Sequence, residues 1–281
     1  MSTEPVAYVT CGHPEVRDPD LELALATFAR LGVPAEAVDW ADPAVDWSRF
    51  GLALVRSPWD YIARREEFLA WARRVSALTV LANPAPVLEH NTDKTYLREL
   101  AEAGVAVVPT VWVAPGGELA QDAAPWPELV VKPTVSSGAR DTVRTTDRAE
   151  AVAHVKALTD AGRTAMVQPY LPMVEEEGET SLLFLGGRFS HAVRRGPMLA
   201  GRATFEDVAR EPAADQLALA EQVLAAVPER DALLYARVDL VRTADGAPVL
   251  IELELTEPRL FLGHHPEAAE RLVRAAAAAR R

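Results

Sequence analysis

The sequence predicts a mixed α/β and α+β protein: an open, largely parallel sheet domain at the N-terminus, then a region of helices and hairpin-forming strands. Over residues 1 to about 90, short apolar runs alternate with helical patterns, as in successive βα units. Farther on, runs of alternating residues flank the tight-turn pairs Gly186-Gly187 and Asp245-Gly246, which marks hairpins. Residues 234–260 are the most telling stretch, because apolar and charged side chains alternate there with the period of a strand.

Composition narrows the function classes. The chain has 281 residues, 49% hydrophobic and 25% charged, enough for an ample core and for two domains of ~150 residues or one elaborated one. Lys+Arg 29 against Asp+Glu 41 gives a formal net charge of −12, which disfavours nucleic acid or an acidic membrane as an electrostatic partner. A local basic cleft for a phosphorylated ligand stays compatible with it. Cys11 is the only cysteine, so an intrachain disulfide framework and a multi-cysteine zinc site are excluded, and a reducing compartment fits. With no leader-like N-terminus and no run of ~18 apolar residues, the expected location is cytoplasmic. Whether the chain forms a homodimer stays open.

In chain order, residues 6–10 read as a buried strand, and residues 19–31 as a helix with Leu21, Leu23, Leu25, Phe28 and Leu31 on its apolar side, closed by Gly32. Further short strands are expected at 38–40, 52–55 and 79–81, with a helix over 61–75. In open parallel sheets ligands sit beyond the carboxyl ends of strands. The loop Arg56-Ser57-Pro58-Trp59-Asp60-Tyr61 occupies such a place. Its guanidinium, carboxylate and aromatics suit an amino acid; equally, Arg56 pairs with Asp60 over packed rings. No G-x-G-x-x-G and no P-loop lysine motif occurs in this sheet, so any phosphate machinery lies downstream.

Asn91-Thr92-Asp93-Lys94 predicts a helix start that continues to Gly104, with Lys94 in the first turn, where an anion would suit it. A strand is expected over 107–113. Residues 129–133 are a buried strand ending on Lys132, and Ser136, Ser137, Gly138 and Arg140 follow in a small-residue loop able to cradle phosphate. A helix over 149–158 and a strand over 164–168 lead into the connector Pro169-Tyr170-Leu171-Pro172. The acids at 175–179 read as a solvated loop. The Gly186-Gly187 hairpin is projected to put Arg194 opposite Glu179, and Arg195 and Arg202 follow in a segment with the character of a lid. A helix over 214–224 and a C-terminal helix from Pro266 complete the pattern. His191 is expected as a structural histidine or a substrate contact, and Cys11 as a small buried residue.

With the last turn centred on Asp245-Gly246, Asp239 faces Glu252, Arg237 faces Glu254, and all four share one face. Val238, Leu240, Ile251, Leu253 and Leu255 point the other way. Carboxylates directly opposite repel, and one arginine neutralises only one of three charges. A solvated face with an ion pair is one reading; Mg²⁺ or Mn²⁺ on oxygen-only ligands is the favoured one.

Taken together, the two lysines, the Ser/Gly loop, the connector and the acidic hairpin, in that order, resemble the ATP-grasp superfamily over essentially the whole chain. Residues 56–61, 189–193 and 251–254 look most like a bacterial group that includes the O-ureidoserine cyclo-ligase of cycloserine biosynthesis. The resemblance implies a pre-ATP-grasp substrate domain over 1–91, a central lobe over 92–170 and a C-terminal lobe with the metal site over 171–281. It implies that Lys94 and Lys132 hold phosphates, that Ser136, Ser137 and Gly138 cover them, and that Gln168, Pro169 and Leu171 read adenine. Glu179 looks like the ribose acid, and Asp239, Glu252 and Glu254 like the metal ligands; many members have asparagine where Glu254 stands. Lys132, Arg195 and Arg237 are the expected catalytic cations, and Arg56, Ser57, Trp59, Asp60, His191 and Arg194 the expected substrate contacts. The implied activity is ATP-dependent coupling of a small carboxylate to an amine through an acyl phosphate, with intramolecular cyclisation or ATP binding without turnover as alternatives.

Overall fold

The computed structural model of the chain describes residues 3–13, 15, 17–196 and 206–281. Four parallel strands form the first sheet: β1 (Val6–Thr10), β2 (Ala35–Asp39), β3 (Leu52–Ser57) and β4 (Val80–Ala82), in the order β2-β1-β3-β4. The central strands β1 and β3 are apolar on both faces because both are covered. One face takes α1 (Leu21–Arg30) through Ala24 and Phe28. The other takes α2 (Arg65–Ser76) and a cluster of rings in which Trp71 lies 5.2–6.2 Å from Trp47, Phe68 and Trp40. Leu23, counted with the buried side of α1 in the sequence, is instead 40% exposed.

A helix that the sequence reading passed over, α3 (Ala85–Asn91), begins at Pro84-Ala85-Pro86, where a missing N–H costs nothing. The chain turns through residues 92–95 into α4 (Tyr96–Glu102). Lys94 therefore lies in a turn between two helices and not within a helix start. Its own N–H donates to Thr134 O at 3.0 Å.

The second sheet is antiparallel, with β5 (Val111–Val113), β6 (Leu129–Pro133), β7 (Val143–Thr145) and β8 (Ala165–Pro169) in the order β5-β8-β6-β7. Helix α5 (Arg148–Asp160) packs Ala151, Val155 and Leu158 on it. The strand expected over 107–113 is interrupted at Pro109, which has no N–H to donate. Val107 forms an isolated parallel bridge to Leu250 instead.

After the short α6 (Met173–Glu176), the third sheet comprises β9 (Glu179–Leu185), β10 (Arg188–Arg195), β11 (Val208–Arg210), β12 (Tyr235–Arg242) and β13 (Pro248–Glu254), in the antiparallel order β11-β10-β9-β12-β13. Glu175 and Glu177, expected in solvent, are paired at 2.5 Å with Arg144 and Arg210. Arg202 of the expected lid lies outside the described residues. Helix α7 (Ala214–Ala225) covers one face of the sheet. Helix α8 (Ala268–Ala279) covers the other, where Leu272, Val273 and Ala276 share one core with Leu183 and Val193 of this sheet and with Val6 and Leu54 of the first. That shared core locks the first and third sheets together.

β13 is an edge strand, yet its outer edge is paired. Leu250 N donates to Ala106 O at 2.8 Å, and Val108 N donates to Leu250 O at 3.1 Å. Beyond that point side chains replace a neighbouring strand. Leu253 N donates to the Tyr96 hydroxyl (3.0 Å), Asn91 Nδ2 donates to Leu253 O (2.8 Å), and Asn91 Oδ1 accepts from Leu255 N (2.7 Å). Asn83 Nδ2 donates to Leu255 O at 2.7 Å and to Tyr235 O at 2.9 Å. Replacing Asn91 by alanine strands two buried backbone groups of Leu253 and Leu255. Asn91→Ala is expected to lower the unfolding free energy by roughly 2–4 kcal/mol, read as a lower urea midpoint at unchanged slope.

Candidate active site

The acidic hairpin forms the floor of a cavity of about 640 Å³. Arg237 pairs with Glu254 across β12 and β13, and Asp239 pairs with Glu252, as the sequence requires. The route to that register differs from the expected one. The loop is Ala244-Asp245-Gly246, closed by Thr243 N donating to Ala247 O at 2.9 Å, with Gly246 at φ +86. This sets Leu240 opposite Leu250, and a bulge between Asp239 and Leu240 restores the register of the acids. The bulge also turns Ile251 out of the core and onto the cavity wall.

Arg237 is the hub of the charges. Its Nε donates to Asp239 Oδ1 and its Nη2 to Asp239 Oδ2, both at 2.9 Å, and Nη2 also pairs with Glu254. Asp239, 1% exposed, accepts further from Ser181 Oγ (2.6 Å) and Arg195 Nη1 (3.2 Å). Lys94 Nζ lies 3.0 Å from Glu252 Oε1 and donates to Ser136 O at 2.6 Å. Carboxylate oxygens of Asp239, Glu252 and Glu254 all lie within 4.8 Å of one another. Such an oxygen-only set on two rigid strands is able to hold a hard divalent cation.

Burial and charge split these acids. Burial pushes Asp239 up, but Arg237 and Arg195 outweigh it and hold it below the usual carboxylate range. Burial likewise opposes ionisation of Glu252, and Lys94 and Lys132 prevail. Glu254 goes the other way: burial, reinforced by Glu252 and Asp239 against the relief from Arg237, pushes it up to about 8. Burial also lowers Lys132, which makes no ion pair within 4.0 Å among the described residues.

A Gly178 with φ +80 precedes Glu179, and a Cβ there would stand 2.5 Å from Arg195 O. This close approach brings Glu179 and Arg195 into register. A bulge between Phe189 and His191 makes Arg195, and not Arg194, the partner of Glu179 (3.5 Å). Arg195 lines the cavity and Arg194 does not.

Facing the acids across the cavity are Lys132 and the loop of Ser136, Ser137 and Gly138, in which Gly138, Ala139 and Asp141 have positive φ. The connector residues Gln168, Pro169 and Leu171 line it as well, and Gln168 Nε2 donates to Thr110 Oγ1 at 2.8 Å.

The 56–61 loop is divided. Trp59 and Tyr61 line the cavity. Arg56, 1% exposed, is held inside by Val55 O (3.1 Å), by Pro258 O and by the Tyr235 ring 4.7 Å away, so it does not reach the cavity. Ser57 Oγ donates to Thr10 Oγ1 (3.1 Å), and Asp60 accepts from Trp40 Nε1 (2.8 Å). His191 is bound to Ser190 Oγ (2.9 Å) and Leu260 O (3.0 Å), and burial lowers it to about 4. It is a neutral structural histidine. Sequence reasoning missed Glu257 and Arg259, both on the cavity wall. The chain bends at residues 256–257, past the end of β13, which period-two alternation does not foresee.

A family model described as the N-terminal domain of D-cycloserine synthetase DcsG matches residues 6–83. Cycloserine biosynthesis protein DcsG of Streptomyces lavendulae is 40% identical over 279 residues, covering 92% of this chain and 93% of that protein. The chain belongs to the DcsG family. The crystal structure of D-cycloserine synthetase DcsG superposes with a TM-score of 0.88 at 38% identity, over 98% of this chain and 99% of that one. A RimK-domain ATP-grasp protein from Sphaerobacter thermophilus shares the fold, with a TM-score of 0.70 at 21% identity over 97% of this chain and 99% of that one. As a member of this family the chain is a ligase with the ATP-grasp fold.

Glu254 has to be ionised to ligate a metal, and at neutral pH it is largely protonated. Binding of magnesium with nucleotide at pH 7 is therefore expected to release close to one proton, and apparent affinity to rise with pH until about 8. Calorimetry in buffers of differing ionisation enthalpy reads this, and Glu254→Gln is expected to abolish the release.

Proposed function

We propose that the enzyme activates the carboxylate of a small amino-acid-like substrate as an acyl phosphate and closes it onto a nitrogen of the same molecule. The carrying observation is the cleft itself, where two lysines and a Ser/Gly loop confront three clustered carboxylates with Arg237 between them. Ring closure is supported by the 40% identity to a cycloserine biosynthesis protein.

In this reading Lys94 and Lys132 bind the α- and β-phosphates, and the backbone N–H groups of Ser136, Ser137 and Gly138 cover them. Gln168, Pro169 and Leu171 receive adenine, and Glu179 the ribose. Asp239, Glu252 and Glu254 fit Mg²⁺ or Mn²⁺, which when bound offsets the negative charge of the phosphates. A substrate carboxylate oxygen takes the γ-phosphoryl group, and the bond to ADP breaks. A nitrogen then attacks the acyl carbon, loses its proton and expels phosphate. Arg237 and Arg195, fixed by Asp239 and Glu179, stabilise charge on the transferring group. No side-chain nucleophile is required.

Mass spectrometry of the product formed from O-ureidoserine and ATP tests the reaction. A ring product from a single substrate molecule, lighter by one water or, once the carbamoyl group is also shed, by carbon dioxide and ammonia, supports cyclisation; a product joining two substrate molecules supports intermolecular ligation. ATP binding without ADP release would leave a nucleotide-binding protein. Asp239→Asn and Glu252→Gln are each expected to lower turnover by roughly 10²–10³-fold or more while circular dichroism stays that of the parent. Retained activity in both variants removes the metal assignment.

A further inference from the structure

Phe261 carries an aromatic side chain in the left-handed region, at φ +51, where a bulky residue is an outlier that its surroundings have to enforce. The enforcing contacts come from distant parts of the chain. Asp20, buried at the start of α1, accepts from the N–H groups on either side of Phe261: Leu260 N on Oδ2 at 3.1 Å and Leu262 N on Oδ1 at 2.9 Å. His191 Nε2 donates to Leu260 O at 3.0 Å. The turn so fixed gives the buried Phe261 ring three guanidiniums as neighbours. The Cζ atoms of Arg259, Arg195 and Arg237 lie 4.6, 5.9 and 5.9 Å from the ring centroid, inside the ~6 Å over which a cation feels the ring quadrupole. All three arginines line the cleft.

Arg195 and Arg237 also meet on one oxygen, Asp239 Oδ2, at 3.2 and 2.9 Å. Two guanidiniums on one oxygen repel each other, and the negative face of an aromatic ring offsets part of that repulsion, most of all where water is excluded. A leucine would fill the core at this place but would offer no such potential. We propose that Phe261 is a positioning residue of the reaction: its ring, presented by the turn on Asp20, keeps Arg195 and Arg237 together on the side of the cleft where the γ-phosphoryl group is transferred. This rests on the ligase reading above, which gives those arginines the charge of the transferring group. Phe261 does not line the cleft and acts only through the guanidiniums. Its loss is therefore felt at the third phosphate and not at the two that Lys94 and Lys132 hold in that reading.

Phenylalanine bearing one, two or three ring fluorines is introduced at position 261 by amber suppression. Fluorine drains the negative face of the ring while keeping its shape and apolar character, so packing is retained as the attraction for cations fades. Calorimetry reads the binding of a non-hydrolysable ATP analogue and of ADP, each with magnesium. ADP release in the presence of O-ureidoserine and ATP, and the Tm, are followed on the same proteins. Affinity for the ATP analogue is expected to fall stepwise with fluorine number, by roughly 2- to 30-fold at full substitution, and turnover with it. Affinity for ADP and the Tm are expected to stay those of the parent. Phe261→Leu is expected to match the trifluoro protein. ATP-analogue affinity that ignores fluorination, or is kept in Phe261→Leu, overturns the assignment. A loss that is equal for ADP, or that follows a falling Tm, overturns it too. If the trifluoro protein fails to fold, the first two members of the series decide. Should the unmodified enzyme bind nucleotide but release no ADP, the ligase reading falls, and the ratio of the two affinities across the series still decides for or against the ring.

Discussion

The cleft depends on one constraint: more negative charge is buried on β12 and β13 than Arg237 can neutralise. Asp239 and Glu254 share its guanidinium, and Glu252 has to be met from elsewhere, by Lys94 at 3.0 Å. Arg195 arrives on Asp239 from β10, across β9. Each of these cations comes from a different part of the chain, so closing the charge balance also assembles the lobes around the cleft. Desolvation makes the arrangement demanding, since a buried ion pair contributes little if either partner is misplaced. That accounts for the number of backbone devices spent on register here: the bulge after Asp239, the bulge after Phe189 and the close approach at Gly178.

The same demand explains how the first sheet is tied to the chemistry. β13 carries two of the acids and, among the described residues, has no strand beyond it. An edge strand with free N–H and C=O groups would be poorly fixed, and water would compete along it. Asn83, Asn91 and Tyr96 supply donors and acceptors at Leu253 and Leu255 in place of a neighbour. Arg56 and Trp59 extend the contact to residues 257–258. Any displacement of the first sheet relative to the third would therefore move the acids themselves.

Much of this was legible in the sequence where periodicity decides the matter. Alternation and an Asp-Gly turn placed Arg237, Asp239, Glu252 and Glu254 on one face, although the two-residue turn was wrong. A three-residue loop moves the register by one and the bulge moves it back, so the two departures cancel at the acids and remain visible only in Ile251. In the other hairpin a bulge had no compensating loop, and Arg195 replaced Arg194. Bulges depend on strain and on tertiary neighbours, which local pattern does not encode. The 56–61 loop was misread for a related reason. Its composition suits a ligand, but three of its polar groups are consumed within the protein: Arg56 on Pro258 O, Ser57 on Thr10 and Asp60 on Trp40.

The third carboxylate of the floor, Glu254, has a consequence for the whole cluster. Asparagine would leave Arg237 to Asp239 alone and add no charge. Glutamate adds a third carboxylate within 4.8 Å of two others, and without a cation burial keeps it largely protonated at neutral pH. Its neighbour Asp239, with two guanidiniums on it, stays ionised throughout. Adjacent carboxylates of opposite disposition make the charge of the floor responsive to what occupies the cleft. A site of this kind keeps one of its three carboxylates neutral until a cation arrives, and can then present it as a further ligand.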